Sequence, residues 1–197
     1  MSAAPDAGRG HPPPLSPERA DSVRLVVFDV DGVLTDGGVY VGMDQADRPV
    51  ELKRFDIVDG LGLKMLMAAG LEVAIVSGRP SDATRLRAAE LGITECHQVA
   101  GARKVPVIAD LLARRGWSWG EVAFLGDDLP DLPALRRVGL PAAVRDATEE
   151  VRASALWVGT RPGGHGAARE FAEALLRARG VWSGLVDQYC RDRDGDG

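Results

Sequence analysis

The stretch Leu25-Val26-Val27-Phe28-Asp29-Val30-Asp31-Gly32-Val33-Leu34-Thr35-Asp36-Gly37 decides how the rest of the chain is read. Its four leading apolar residues read as a strand, and the strand runs straight into an acidic, glycine-containing loop. Side chains alternate along extended backbone, so Asp29 and Asp31 point the same way from the strand's carboxyl end. Taken alone, the segment also fits a solvated Asp-Gly turn.

Working outward, the strand is taken from residue 23 to 28, and similar runs recur at 73–76, 122–125, 140–144 and 156–158. Between them, Val105, Ile108, Leu111 and Leu112 repeat at three- and four-residue spacing, which makes one helix face, and Gly116 ends that helix. Segments 61–69 and 83–91 likewise close at Gly70 and Gly92. This alternation predicts a doubly wound, Rossmann-like α/β fold around a parallel sheet, with function at the carboxyl ends of the strands. Residues 38–55 break the pattern. There, 39–41 and 50–54 read as two short strands joined through a polar turn at 44–48. The predicted result is a β-hairpin flap and no separate cap domain, so a ligand at the sheet edge needs cover from the flap or from another subunit.

The chain has 197 residues, 45% hydrophobic and 27% charged, which supports a core in one domain. A net charge of −5, with arginine making up all but three of the 24 basic residues, argues against a nucleic-acid partner. The longest apolar runs fall far short of the ~20 residues of a membrane span. The amino-terminal residues lack the apolar stretch of a secretory signal. Residues 1–22, rich in proline, are expected to be a flexible tail, 23–180 the domain, and 181–197 a second tail. Within that tail, Asp192 to Gly197 hints at a calcium loop but stops too early, and reads as a solvated end. Cys96 and Cys190 lack metal-ligand spacing and read as reduced thiols of a cytosolic protein.

A second acidic group, Gly126-Asp127-Asp128-Leu129-Pro130-Asp131, follows the run at 122–125. Carboxylates from two strand ends would repel one another without a cation between them, and hard oxygen donors favour Mg²⁺. Asp128 or Asp131 also fits as a helix cap. After the run at 73–76, Ser77-Gly78-Arg79 offers a hydroxyl, a backbone N–H and a guanidinium, the groups a phosphate needs. Lys104 opens the next helix and could neutralise the same phosphate, although it also fits as a surface lysine, and Arg79 as a solvated arginine at a helix start. His97 and His165 lack paired ligand spacing and read as structural, and Trp117 and Trp119 as packing or interface residues.

Asp29-x-Asp31, Ser77, Lys104 and Gly126-Asp127-Asp128-x-x-Asp131, in this order, resemble the four motifs of the haloacid dehalogenase superfamily of phosphatases. More narrowly, the Asp29 to Gly37 stretch, Phe55-Asp56, Asp59-Gly60, Ser77-Gly78-Arg79 and Gly163-Gly164-His165-Gly166-Ala167-Ala168-Arg169-Glu170 resemble the branch acting on octulosonate 8-phosphate and nonulosonate 9-phosphates. The resemblance implies Asp29 as nucleophile and Asp31 as acid and base, with an aspartyl-phosphate intermediate. It implies Mg²⁺ held by Asp29, Asp127 and the Asp31 carbonyl, and phosphate bound by Ser77, Gly78 and Lys104. Asp128 and Asp131 would support Lys104 or a metal-bound water, and Arg79 would meet the substrate carboxylate. Val58 stands where relatives often carry a basic residue. The implied partner is a small phosphorylated sugar acid, and the implied assembly a cytoplasmic homotetramer in which the Gly163 to Gly166 segment reaches a neighbour's site. Two rivals are a receiver-like phospho-accepting domain, which needs no acid at Asp31, and a catalytically silent partner of a sugar-nucleotide synthetase.

Overall fold

The computed structural model describes residues 14–194. Six strands form one parallel sheet: β1 (Leu25–Phe28), β4 (Glu72–Ser77), β5 (Glu95–Gln98), β6 (Val122–Gly126), β7 (Leu140–Ala143) and β8 (Trp157–Val158). Their order is β5-β4-β1-β6-β7-β8, which puts β1 at the centre of the sheet. Every residue of β1 and β6 is buried, as expected for strands covered on both faces. The doubly wound expectation holds. β5 is a strand that the apolar pattern does not reveal. Glu-Cys-His-Gln is polar because it forms the sheet's edge, where Glu95 pairs with Arg114, Arg115 and His97 rather than entering the core.

Helices α2 (Ile57–Ala68), α3 (Asp82–Leu91), α4 (Lys104–Arg115) and α7 (Ala167–Ala178) carry most of the cover, with shorter α5 (Leu132–Leu135) and α6 (Glu149–Ser154). Helix α2 starts four residues before the expected 61 because Asp56 caps it, its carboxylate accepting from Val58 N at 3.1 Å. Gly92 and Gly116 close α3 and α4 in the left-handed region, at φ 78° and 68°. Ile108, Leu111 and Leu112 are buried as their spacing predicts. Helix α7 lays Phe171, Ala172, Leu175 and Leu176 into the core, where Trp157 and Phe28 meet Phe171 at ring distances of 5.0 and 6.4 Å. Burying each such large side chain contributes about 1.5–3 kcal/mol.

The hairpin is present as antiparallel β2 (Tyr40–Met43) and β3 (Pro49–Leu52). Its turn is set by Asp44, whose carboxylate accepts from Ala46 N and Arg48 N at 2.8 and 3.0 Å. Val41, Met43 and Leu52 are exposed on it. Both expected tails are partly folded. Helix α1 (Pro17–Ser22), capped by Ser16, buries Ala20, and Arg179 ties it down through the Ala20 and Val23 carbonyls. Helix α8 (Trp182–Arg191) buries Trp182. Residues 1–13 of the expected first tail, and 195–197 of the expected solvated end, lie outside the described residues.

Candidate active site

Adjacent strand ends converge at the middle of the sheet. Phe28 pairs with Ile75 on one side and Leu125 on the other, so the loops after β1, β4 and β6 leave the sheet side by side. The loop after β1 is tied into a tight knot. Val30 O accepts from the N–H groups of Val33, Leu34 and Thr35 at 3.0–3.2 Å, and from the buried Thr35 hydroxyl at 3.1 Å. This fixes Asp29 at the sheet end, where its N–H donates to Leu125 O at 3.2 Å.

Asp29, Asp127 and Asp131 each offer a carboxylate oxygen, and the three oxygens lie within 4.8 Å of one another. The buried Lys104 ammonium sits among them, ion-paired to Asp29 and Asp131. Asp131 also turns back on its own loop, accepting from Asp127 N at 2.9 Å. Asp128 instead caps the short turn Leu129–Asp131 by accepting from Leu129 N at 2.7 Å. Of the two residues expected to support Lys104 or a metal-bound water, Asp131 meets Lys104, while Asp128 makes the capping contact that was its alternative. Gly32, at φ +87°, leaves room for this cluster: a Cβ there would stand 2.1 Å from Asp127 Oδ2.

A divalent cation fits these donors. Asp127 Oδ1 is buried without a hydrogen-bond partner among the described residues, a costly state for a carboxylate oxygen unless a cation meets it. Burial, then the charges of Asp29 and Asp131, push Asp127 up to about 9. Burial and Asp131 push Asp29 up to about 6, against the opposing pull of Lys104. Both carboxyls thus hold protons in the ion-free folded chain that the unfolded chain has already released. Stability of the ion-free protein falls as pH rises from the ordinary carboxylate range through these values. Mg²⁺ competes with those protons, so thermal melts should show a stabilisation that grows from pH 5 to pH 9. At a hundredfold excess over Kd it would reach ~2.7 kcal/mol, or about 5–10 °C. A shift that ignores pH, or no shift, would count against the cluster as a cation site.

Ser77 is buried at the end of β4, and its hydroxyl accepts from Arg79 N at 3.2 Å and donates to Arg79 O at 3.1 Å. The next loop packs so closely on Gly78 that a Cβ there would lie 2.8 Å from that of Ala102. Lys104, two residues beyond Ala102, is thereby carried to Asp29. Arg79 faces the hairpin, donating to Glu51 Oε2 at 2.8 Å. Asp31 is not one of the three clustered carboxylates; it pairs with Lys53. Lysine is rare in this chain, and Glu51 and Lys53 share one face of extended backbone, but neither feature points to Asp31.

The Gly163 to Gly166 segment lies against the chain's own loop, which corrects the expectation that it reaches across an interface. Gly164 N donates to Val33 O at 2.9 Å, and a Cβ at Gly163 would stand 1.7 Å from Gly32 O. Asp59 explains the distant pairing of its motif with this segment: its buried carboxylate accepts from Gly166 N and Arg169 N at 3.2 and 2.8 Å and so caps α7. His97 pairs with Glu95 at 2.8 Å, outside the site.

Residues 98–171 match the haloacid dehalogenase-like hydrolase family. The 3-deoxy-D-manno-octulosonate 8-phosphate phosphatase KdsC of Escherichia coli K12 is 40% identical over 162 residues, 82% of this chain and 84% of the relative. A crystal structure of 3-deoxy-D-manno-octulosonate 8-phosphate phosphatase from Moraxella catarrhalis, in complex with magnesium, phosphate and a KDO molecule, has a TM-score of 0.81. It is 34% identical and covers 88% of this chain and 97% of that one. The cobalt-bound deoxy-D-mannose-octulosonate 8-phosphate phosphatase from Haemophilus influenzae has a TM-score of 0.76 at 38% identity, over 84% and 94% of the two chains. The chain belongs to the haloacid dehalogenase-like hydrolases, in the branch these phosphatases define. It is a phosphoric monoester hydrolase, as the motif resemblance implied.

Proposed function

We propose that the chain hydrolyses the phosphomonoester of a small sugar acid of the octulosonate 8-phosphate class, with nonulosonate 9-phosphates as the alternative. One observation carries the reading: a buried Asp29 at the central strand end, paired with Lys104 and facing two further carboxylates. The named relatives supply the sugar-acid class.

Asp29 attacks phosphorus in line and forms an aspartyl phosphate, while Asp31 protonates the leaving alkoxide and then takes a proton from the hydrolytic water. Asp29, Asp127 and the Asp31 carbonyl would hold Mg²⁺, with Asp131 beside them. When bound there, it offsets the charge of nucleophile and phosphate, which otherwise repel. Lys104 and the Ser77-Gly78 turn meet the transferring oxygens, and Arg79 takes the sugar-acid carboxylate on exchanging Glu51 for it. We also propose a cytoplasmic homotetramer; the exposed Val41, Met43 and Leu52 of the hairpin support contact with another subunit.

Phosphate release from octulosonate 8-phosphate, a nonulosonate 9-phosphate and glucose 6-phosphate, with and without Mg²⁺, tests the reading. A sugar-acid ester should exceed glucose 6-phosphate in kcat/KM by ~10²-fold or more, because glucose 6-phosphate offers Arg79 no carboxylate to bind. Equal values, or turnover indifferent to Mg²⁺, would refute it.

A further inference from the structure

Lys53 directly follows β3, and its side chain is only 2% exposed while its neighbours Leu52 and Arg54 face solvent. The ammonium donates to Asp31 Oδ1. Glu51 Oε1, which has no hydrogen-bond partner among the described residues, faces the same ammonium at 3.6 Å. A buried ammonium has given up its water and stays only where carboxylates replace it. Asp31, Lys53, Glu51 and Arg79 therefore form one charged chain that runs from the loop after β1, through the hairpin, to the loop after β4. Asp31 itself is a quarter exposed and has no other side-chain partner among the described residues, so Lys53 alone fixes where its carboxylate points.

We propose that Lys53 is a positioning residue for Asp31, aiming that carboxylate at the oxygen that leaves phosphorus. The hairpin then contributes to the chemistry as well as to cover. The inference rests on the phosphomonoesterase reading above, because it takes Asp31 as the proton donor.

Leaving-group dependence separates this role from a structural one. An alkoxide needs a proton as it departs and 4-nitrophenolate does not. Single-turnover phosphoryl transfer is therefore compared for octulosonate 8-phosphate and 4-nitrophenyl phosphate, each with Mg²⁺. Asp31→Asn should lose ~10²–10⁴-fold on the alkyl ester and little on the aryl ester. Lys53→Met should lose ~10–100-fold on the alkyl ester and less than ~3-fold on the aryl ester. Lys53→Arg should recover part of the loss. Added to Asp31→Asn, Lys53→Met should change little further, since both act through one carboxylate.

Equal losses of Lys53→Met on both esters, or additive losses in the double variant, overturn the proposal while leaving Asp31 as the acid. An Asp31→Asn variant that keeps its alkyl-ester rate brings down the underlying reading as well. Glu51→Gln removes the second partner of Lys53 without touching Asp31, and because it also frees Arg79 it is compared on glucose 6-phosphate and 4-nitrophenyl phosphate, neither of which carries a carboxylate. It should show a smaller loss with the same leaving-group bias, and it decides the matter should Lys53→Met fold poorly.

Discussion

Asp29→Asn should abolish turnover, lowering phosphate release by ~10⁴-fold or more, while the protein melts at or above the wild-type temperature without Mg²⁺. The two halves of this expectation come from the same geometry. The amide nitrogen and oxygen of asparagine are poor nucleophiles toward phosphorus, so the covalent route closes. The ion-free fold, however, gains from the change. Asp29 is buried against Asp127 and Asp131, and its carboxyl is pushed up to about 6 by burial and by Asp131. A neutral isostere removes one of three mutually repelling groups and leaves Asp131 to hold Lys104. Phosphate release under saturating substrate, together with melting curves at pH 5 and 8, reads both. The stability gain should appear at pH 8, where wild-type Asp29 is ionised, and fade at pH 5, where it is largely protonated. Retained turnover in Asp29→Asn would remove it as the attacking group, and a marked loss of stability at pH 8 would mean that its charge is needed for folding.

Much of this arrangement is legible in the sequence because its physical cause is local. Strands β1, β4, β6 and β7 are apolar runs, since they are buried on both faces, and Asp29 and Asp127 are placed simply by following directly after them. Glycines 92 and 116 mark helix ends because the left-handed region favours them. What escapes the reading depends on partners far along the chain. Strand β5 exists because β4 offers a free edge to pair with, whatever the polarity of Glu95 to Gln98. Helix α1 lies in a proline-rich stretch whose composition suggests a tail, yet Leu15, Ala20 and Val23 find a shared core. Asp128 and Asp131 are equivalent as letters three apart in one turn. Only the backward fold of that turn selects Asp131 to meet Lys104. Lys53 is invisible for the same reason, because the hairpin must fold over before its ammonium meets Asp31.

Lys104→Met should damage both stability and activity, and it isolates the cation that, among the described residues, pairs with the carboxylate cluster. Lys104 is 4% exposed and pairs with two buried aspartates, while Asp127 stands beside them. Methionine fills much of the space of the lysine stem, so little packing is lost. What disappears is the compensating charge, and leaving buried partners unpaired costs about 3–5 kcal/mol. The loss has a defined pH dependence. Burial and mutual repulsion already raise Asp29 and Asp127, and Lys104 is what pulls Asp29 back. Without it, the folded state clings to protons that the unfolded state releases, so the deficit widens as pH rises above the ordinary carboxylate range and narrows below it. Mg²⁺ should recover part of the deficit, since a divalent ion also offsets the same carboxylates. Activity should remain ~10²–10³-fold down if Lys104 has its proposed role, because no ion at Asp127 replaces a donor to the transferring oxygens. Denaturant unfolding at pH 5 and pH 8, with and without Mg²⁺, separates these effects. A variant within ~1 kcal/mol of wild type at pH 8 without Mg²⁺ would show that the three carboxylates never shared a charge deficit.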